Sequence, residues 1–297
     1  MNEQLIAQMK KDAQAINELL EKLYNENRDE ELSGIIESMS YSLMAGGKRI
    51  RPIIALAFCR LFGGKDEAVL PYALALEMVH TASLIHDDLP CIDNDDLRRG
   101  RPTNHVVFGE STALLAGDGL LMDAYGLVAK NNFVSAEINV QAIRVLSDCT
   151  GTHGLVGGEY IDVMGEENPL CLESLKKMDA YKTGALIKAS AYLGTLAAGV
   201  SLSDERVKDV TVYAENIGLA FQIVDDVLDV IGSAEELGKN PGADAKEKKS
   251  TYISFYSVDE ATKYAKELTR DAVNAISKYE NCEFLRDLAI YLTDRRN

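Results

Sequence analysis

The chain has 297 residues, 46% of them hydrophobic, and a formal net charge of −16 at pH 7. A chain of this length and composition can bury a substantial core. Its acidic balance argues against nucleic acid as a partner, because that partner needs a basic protein face. The cysteines stand singly without metal-ligand spacing and no secretory signal is visible, so we expect reduced thiols and a cytoplasmic location.

The predicted elements, taken in chain order, are almost all helices. Residues 1–24 carry apolar side chains along one stripe, which predicts an amphipathic helix. Later segments, such as 53–61 and 74–85, repeat apolar residues every three or four positions, whereas alternating strand patterns are scarce. Breaks are predicted at residues 46–47, 63–64, 90, 100–102, 165–169, 201–204 and 238–242.

No linker, internal repeat or low-complexity stretch divides the chain. The longest charge-free segment, 189–203, is shorter than the roughly 20 residues of a membrane-spanning helix. The sequence therefore predicts an all-α fold, a single domain covering residues 1–297 built from about ten or more helices, with no transmembrane segment.

An aspartate-rich first box begins at Asp87 and continues through Asp88 to Asp93. On an unbroken helix, the spacing between Asp87 and Asp93 would point them to different sides. Pro90 disfavours helical geometry at the residue before it and removes a backbone donor. We therefore expect the helix to end just after Asp88 and the chain to turn, bringing Asp93 back.

A second box, Asp225, Asp226 and Asp229, has helical spacing, because residues four apart share one helix face. Adjacent carboxylates repel, and they stay ionised most easily beside a hard cation such as magnesium, which prefers oxygen ligands. Two boxes predict one shared site for several metal ions. Solvated acidic helix faces are the alternative for each box alone. The apolar runs 82–85 and 217–223 that precede the boxes favour a partly buried site.

Positive side chains are clustered in spite of the acidic balance. A basic turn combines Gly46-Gly47 with Lys48, Arg49 and Arg51. Such a segment can wrap an anion, because arginine grips phosphate through a planar fork and lysine adds a point charge. An ordinary exposed basic turn is the alternative.

His80 lies seven residues before Asp87, nearly in line with it on one helix face, with Ser83 between them. A lone histidine on an apolar helix is more often structural, but this alignment with the first box favours a site residue. Lys182 and Thr183 open an apolar helix after a break, where a phosphate could be met.

Lys239 and Lys249 bracket a charged, glycine-containing stretch after the second box. Its default interpretation is a solvated loop.

The joint order of these segments resembles a known family and is more specific than any one motif. The matching segments are the basic turn 46–52, the first box extended through Arg98-Arg99 to Arg101-Pro102-Thr103, Gly157-Gly158-Glu159, Lys182-Thr183-Gly184, Phe221-Gln222 with the second box, and Lys249-Ser250-Thr251-Tyr252. In these motifs the chain resembles a trans-isoprenyl diphosphate synthase of the polyprenyl synthetase family, which includes farnesyl and geranylgeranyl diphosphate synthases.

The resemblance implies a helical bundle around a central cavity, usually in a homodimer. It also implies a short-chain trans-prenyltransferase that uses Mg2+, about three ions, to condense isopentenyl diphosphate head to tail with an allylic diphosphate. The allylic substrate would be dimethylallyl, geranyl or farnesyl diphosphate. Farnesyl (C15) or geranylgeranyl (C20) diphosphate would be the product, together with released diphosphate.

Roles for individual residues follow from the same resemblance. The metal ligands would be Asp87, Asp93 and Asp225, with Asp88, Asp226 and Asp229 as ligands or supports. Isopentenyl diphosphate would be held by Lys48, Arg51, His80 and Arg99. The allylic substrate would be held by Arg98, Lys182, Thr183, Gln222, Lys239 and Lys249. The predicted catalytic set joins the six aspartates with Arg98, Lys182, Thr183 and Gln222.

Product length in this family depends on the helix before the first box, where bulky side chains form the floor that stops elongation. This chain has Ala82 and Ser83 there, whereas many bacterial farnesyl synthases carry an aromatic residue in place of Ala82. We therefore expect a C20 product in preference to C15.

Two other functions stay open. A terpene cyclase would also use a helical bundle and an acidic box, but its second metal motif normally includes asparagine or serine and glutamate, and it needs no second diphosphate site. A non-catalytic subunit of a heteromeric synthase typically lacks one or both boxes, which this chain keeps.

Overall fold

Nearly every described segment of the chain is helical. The structure is a computed structural model and describes residues 2–25, 30–231 and 250–294. Its α-helices are α1 Glu3–Asn25, α2 Ser33–Leu43, α3 Ile50–Leu61, α4 Asp66–Asp87, α5 Asn104–Phe108, α6 Glu110–Ala129, α7 Ala136–Thr150, α8 Leu155–Glu167, α9 Leu172–Asp179, α10 Ala185–Ala197, α11 Arg206–Ile231, α12 Val258–Ile276 and α13 Glu283–Thr293. The all-α prediction is confirmed.

The remaining regular elements are short. A π-helical turn, Ala180–Gly184, joins α9 to α10, and a 3₁₀ turn, Tyr252–Ser254, precedes α12. A small hairpin pairs β1, Leu97–Arg98, antiparallel with β2, Arg101–Pro102. That residues 1–297 form one domain stays a prediction, since part of the chain lies outside the described ranges.

Helix α4 runs through the centre of the molecule, because its apolar residues occupy all of its faces. Tyr72, Leu76 and Met78 are fully buried, and α3, α6 and α10 pack around them. Burying each such side chain contributes roughly 1.5–3 kcal/mol. The Tyr72 hydroxyl donates to Asn139 Oδ1 of α7 at 2.6 Å, so its one polar atom is satisfied. The rigid α4 thus carries His80 and the first box at its carboxyl end.

Close contact between α10 and α3 depends on a glycine. A Cβ at Gly194 would lie 2.2 Å from the carbonyl oxygen of Ala55, where no side chain fits. Because α10 follows the π-helical turn directly, this contact also fixes the position of that turn against the core.

Two helices, α4 and α6, are long and apolar enough to cross a membrane by length and composition alone. In the most apolar 18-residue stretch of each helix, 72% of the positions are buried in α4, as in a core helix, but only 33% in α6. The side chains of Leu114, Leu115 and Met122 leave an apolar face of α6 exposed. Such faces on a folded protein mark surfaces that contact another molecule.

Candidate active site

The first box forms where the sequence predicts the end of α4. Asp87 is the last residue of the helix and Asp88 caps it, before the turn that contains Pro90. The backbone N–H of Asp93 donates to the carbonyl of Asp87 at 2.9 Å, which folds the chain back on itself. Asn94 adopts a left-handed conformation with φ 55° to complete this turn. Asp93 therefore returns to the helix end, as predicted.

The β1–β2 hairpin brings Arg98 onto the first box. Its Nε donates to Asp88 Oδ1 at 2.6 Å, and its Nη2 lies 3.4 Å from Asp87 Oδ2. Asp95 adds a third carboxylate 3.6 Å from the same Nη2. Burial alone would lower the pKa of Arg98, but the contact with Asp88 and the other carboxylates raises it. Arg98 thus remains a fixed cation beside both aspartates.

Lys182 lies in the π-helical turn and also contacts the first box. Its Nζ lies 2.6 Å from Asp162 Oδ2, 2.9 Å from Glu159 Oε2 and 3.3 Å from Asp87 Oδ1. Burial disfavours the charged ammonium, but these carboxylates more than offset it and raise the pKa of Lys182. Single π-helical turns occur often at functional sites, where they change the direction of a side chain.

Glu159 and Asp162 come from one face of α8, being three residues apart. Burial, together with the nearby charge of Asp87, raises the pKa of Glu159 to about 7. The pair anchors Lys182 and places it close to Asp87.

The glycines of the segment Gly157-Gly158-Glu159 allow α8 to approach the π-helical turn. A Cβ at Gly158 would lie 2.2 Å from the backbone nitrogen of Lys182 and 2.7 Å from its Cα. At Gly157, a Cβ would lie 1.9 Å from the carbonyl oxygen of Thr152. A side chain at either position would push backbone atoms apart.

The second box lies in the carboxyl-terminal part of α11. Asp225 and Asp226 are half-buried, and Asp229 is buried. The Oδ2 atom of Asp226 accepts a hydrogen bond of 2.7 Å from the backbone N–H of Tyr252. This contact ties the box to the segment that precedes α12.

A buried acid, Asp179, connects the two regions. It is 5% exposed and ends α9, three residues before Lys182. Burial raises its pKa to about 7, although the neighbouring polar side chains of Tyr252 and Gln222 oppose the shift. Tyr252 binds Asp226, and Lys182 binds Asp87, so segment 179–182 connects the network of one box to the other.

A third region gathers predicted anion-binding residues between the basic turn, α4 and the hairpin. Arg51 Nη1 lies 3.3 Å from His80 Nε2. Burial and the neighbouring arginines hold the pKa of His80 well below its usual range, so its ring is neutral. Because arginine can only donate, Nε2 accepts and the ring proton lies on Nδ1. Arg99 donates to the carbonyl of Gly46 and packs against Gly47, where a Cβ would lie 2.7 Å from its guanidinium.

Lys48 has a different environment from the other cations of the basic turn. Its side chain is exposed, and its Nζ lies 5.4 Å from the centre of the Tyr291 ring on α13. A cation over an aromatic face is stabilised modestly at such an exposed position.

Comparison with known proteins identifies the family of this chain. The model of the family described as polyprenyl synthetase matches residues 33–286. This chain belongs to the polyprenyl synthetase family. Geranylgeranyl diphosphate synthase of Cyanophora paradoxa is 47% identical over 266 residues, covering 89% of this chain and 88% of the relative. Farnesyl diphosphate synthase of Micrococcus luteus is 41% identical, covering 89% and 90%.

Solved structures are similar over the whole length. Geranylgeranyl pyrophosphate synthetase from Pyrococcus horikoshii Ot3 aligns with a TM-score of 0.89 and 29% identity, covering 99% of each chain. An FPP/GFPP synthase from Zymomonas mobilis aligns with a TM-score of 0.87 and 32% identity, covering 99% of this chain and 100% of that one. This polyprenyl synthetase is a short-chain trans-prenyltransferase, as its motifs predicted.

The other predicted residues of this polyprenyl synthetase lie as follows. Ala82 is fully buried in the core, and Ser83 Oγ donates to the carbonyl of His80 at 2.8 Å. Thr183 is half-buried in the π-helical turn. Lys239 and Lys249 lie outside the described residues.

Sequence reasoning missed three acids of the polyprenyl synthetase site: Glu159, Asp162 and Asp179. Glu159 lies in the segment Gly157-Gly158-Glu159, for which the motif predicts no role of its own. Its spacing to Asp162 was the available signal, since residues three apart share a helix face. No local pattern marks Asp179, because its partners Gln222 and Tyr252 come from distant parts of the chain.

Proposed function

We propose that this polyprenyl synthetase condenses isopentenyl diphosphate with an allylic diphosphate in a Mg2+-dependent reaction at the two aspartate boxes. The single observation that carries this assignment is the convergence of Arg98 and Lys182 on Asp87, where each contacts a different carboxylate oxygen. Fixed cations beside a carboxylate box suit a diphosphate that binds together with metal ions. We propose that the Mg2+ ligands are Asp87, Asp93 and Asp225, as predicted from the sequence.

The donor set fits magnesium. All six aspartates of the boxes offer hard carboxylate oxygens. Within the described ranges, no group of three or more His, Cys, Asp or Glu is already arranged as a metal site. Magnesium does not require such a cage, because it commonly binds through one or two carboxylates, water and substrate phosphates. Bound there, it would neutralise charge on the departing diphosphate.

The chain's own residues would divide the chemistry. Arg98 and Lys182 hold the allylic diphosphate and stabilise the negative charge that develops as its carbon–oxygen bond breaks. Arg51, Arg99 and Lys48 hold the diphosphate of isopentenyl diphosphate, with the neutral His80 as a donor through Nδ1. The double bond of isopentenyl diphosphate then attacks the allylic cation. The new cation loses a proton, which restores a double bond. The released diphosphate is our candidate for the base.

We propose geranylgeranyl diphosphate (C20) as the main product. The support is the small residue at position 82, together with the 47% identity to a protein named geranylgeranyl diphosphate synthase. The 41% identity to a farnesyl diphosphate synthase keeps C15 as the alternative.

A homodimer is part of the proposal. The exposed apolar face of α6, with Leu114, Leu115 and Met122, is a suitable surface for a second copy. We also propose a cytoplasmic location, supported by the five free cysteines. Sedimentation velocity of the wild-type protein and a Met122→Lys variant tests the dimer, which the charge should weaken.

The main test is incubation with isopentenyl diphosphate, each allylic primer and Mg2+, followed by separation of products by chain length. We expect C20, and loss of turnover with retained folding in Asp87→Ala and Asp225→Ala. Unchanged turnover in either variant would contradict the metal assignment. No product from any primer with the wild-type protein would favour the non-catalytic subunit instead.

Removing metal with a chelator tests whether the two substrates differ in their need for Mg2+. Titration calorimetry in EDTA should show binding of isopentenyl diphosphate but no binding of a non-reactive allylic diphosphate analogue. Tight binding of that analogue without metal would contradict the assignment of the boxes.

A further inference from the structure

Arg49 belongs to the basic turn, but its side chain points into the protein interior. Arg49 is the residue immediately before α3, and its backbone is left-handed, with φ 51° and ψ 38°. Its Nη1 donates to Glu77 Oε1 at 2.5 Å, its Nε to Asn17 Oδ1 at 2.8 Å and its Nη2 to the carbonyl of Leu43 at 2.5 Å. The side chains of Arg49 and Glu77 are only 1% and 3% exposed. Arg49 therefore joins α1, α2 and α4 at one buried point.

The basic turn is attached to α4 through two parallel contacts. Arg49 binds Glu77, and Arg51 contacts His80, which lies one helical turn further along the same face. The preceding pair, Gly46-Gly47, has φ values of 88° and 121° and does not fix its own path. The position of Arg51 relative to His80 thus depends on contacts elsewhere in the turn, such as that of Arg49 with Glu77.

Glu77 also supplies negative charge to this cationic region. Burial lowers the pKa of Arg51 to about 10, while the charge of Glu77 opposes the shift and that of Arg99 adds to it. Arg99 has the same balance, with burial lowering its pKa and Glu77 opposing. Glu77 therefore favours the protonated state of both arginines. Because Glu77 is buried, it does so without occupying the surface where an anionic substrate would bind.

We propose that Arg49 and Glu77 are positioning residues for isopentenyl diphosphate, holding the basic turn so that Arg51, His80 and Arg99 face one anion. This inference rests on the proposed assignment of isopentenyl diphosphate to those three residues. A buried pair with a purely structural role would affect stability and would not single out one substrate.

The central variant is the double substitution Arg49→Met with Glu77→Leu. It removes both charges together, a change that buried pairs often tolerate because neither charge is left without its partner. We expect KM for isopentenyl diphosphate to rise about tenfold or more, whereas KM for the allylic substrate changes little. The melting temperature should fall, because Asn17 and the carbonyl of Leu43 lose the guanidinium donor. The matched control removes the ion pairs of another arginine of α3, Arg60, whose guanidinium lies 2.8 Å from Asp12 of α1 and 2.7 Å from Asp66 of α4. Arg60→Met with Asp12→Asn should leave both KM values unchanged.

A conservative variant provides a second measurement. Arg49→Lys keeps a positive charge near Glu77 but cannot make the guanidinium contacts with both Asn17 and Leu43. We expect a rise of about threefold in KM for isopentenyl diphosphate, smaller than in the double variant. If the double variant does not fold, this measurement decides, and an unchanged KM would overturn the proposal.

The Arg51→Gln variant distinguishes failure of the substrate assignment from failure of the positioning role. Arg51→Gln should raise KM for isopentenyl diphosphate. If it does so while the folded double variant behaves as the wild type, the positioning role is wrong and the substrate site stands. If Arg51→Gln has no effect, the substrate assignment is wrong and the positioning role falls with it. Equal rises in both KM values would also overturn the role.

Discussion

Replacing Gly158 by alanine should impair catalysis through the backbone of Lys182. Gly158 is where α8 passes closest to the π-helical turn, and an added Cβ would lie 2.2 Å from Lys182 N and 2.8 Å from the carbonyl carbon of Tyr181. Ordinary contacts of a Cβ begin at 3.4 Å. The atoms in the way are backbone atoms, so no side chain can rotate to make room, and either α8 or the turn must move by about 1 Å.

The expected magnitude follows from the contacts of Lys182. Its Nζ lies 2.6 Å from Asp162 and 2.9 Å from Glu159, both on α8. A shift of about 1 Å in either element lengthens these contacts and displaces the ammonium from Asp87, and a displacement of that size can lower the rate about 100-fold. Overpacking costs about 1–3 kcal/mol of stability. Alanine recovers up to about 1 kcal/mol through its better helix propensity. Catalysis should therefore suffer more than folding.

The assay is steady-state kinetics with the allylic substrate varied, alongside thermal unfolding of each variant. Gly34→Ala in α2 is the matched control, because a Cβ there meets nothing within 4 Å. It should leave kcat/KM unchanged and the protein at least as stable. Wild-type kcat/KM in Gly158→Ala would refute the reasoning, since it would mean that Lys182 tolerates the displaced backbone.

Three further predictions concern other buried positions. Because the pKa of Asp179 is raised to about 7 when folded, its contribution to stability is present below pH 4 and is lost as the pH rises to 7, by up to roughly 4 kcal/mol. Asp179→Asn should flatten the fall of melting temperature over that range, and an unaltered profile would contradict the shift. Gly194→Ala should destabilise by about 1–3 kcal/mol in urea unfolding, because its Cβ meets the carbonyl of Ala55; unchanged stability would argue against that close contact. Ala82→Tyr should shorten the product in the chain-length assay, and an unaltered distribution would refute the proposed floor.

Local rules of the chain explain the successful predictions. Pro90 restricts the residue before it, so the end of α4 follows from a steric effect between neighbours. The return of Asp93 is seen in its hydrogen bond to the carbonyl of Asp87. Helical spacing likewise placed Asp225 and Asp229 on one face of α11. These features need no knowledge of which helices meet.

Tertiary contacts explain what the sequence did not predict. The cations Lys48, Arg49 and Arg51 look alike in a basic turn, yet the left-handed backbone at Arg49 sends its side chain inward to Glu77. From the sequence, Gly158 suggests a flexible segment. In the structure, glycine is required there because the backbone of Lys182, 24 residues later in the chain, lies too close for a Cβ. Such roles depend on the packing of distant elements, which spacing within one helix does not reveal.

The two proposed diphosphate sites differ in the charge that the described residues supply. Around Arg98 and Lys182, the carboxylates of the first box, Asp95 and α8 outnumber the cations and already engage them. A diphosphate entering there meets net negative charge, so it binds favourably only when divalent cations accompany it. Around Arg51 and Arg99, the balance is reversed, because Glu77 opposes several cations from a buried position. An anion can bind there without metal. Under the proposed assignment, ionisation of the allylic substrate would therefore depend on magnesium, whereas isopentenyl diphosphate would be held by protein charges alone.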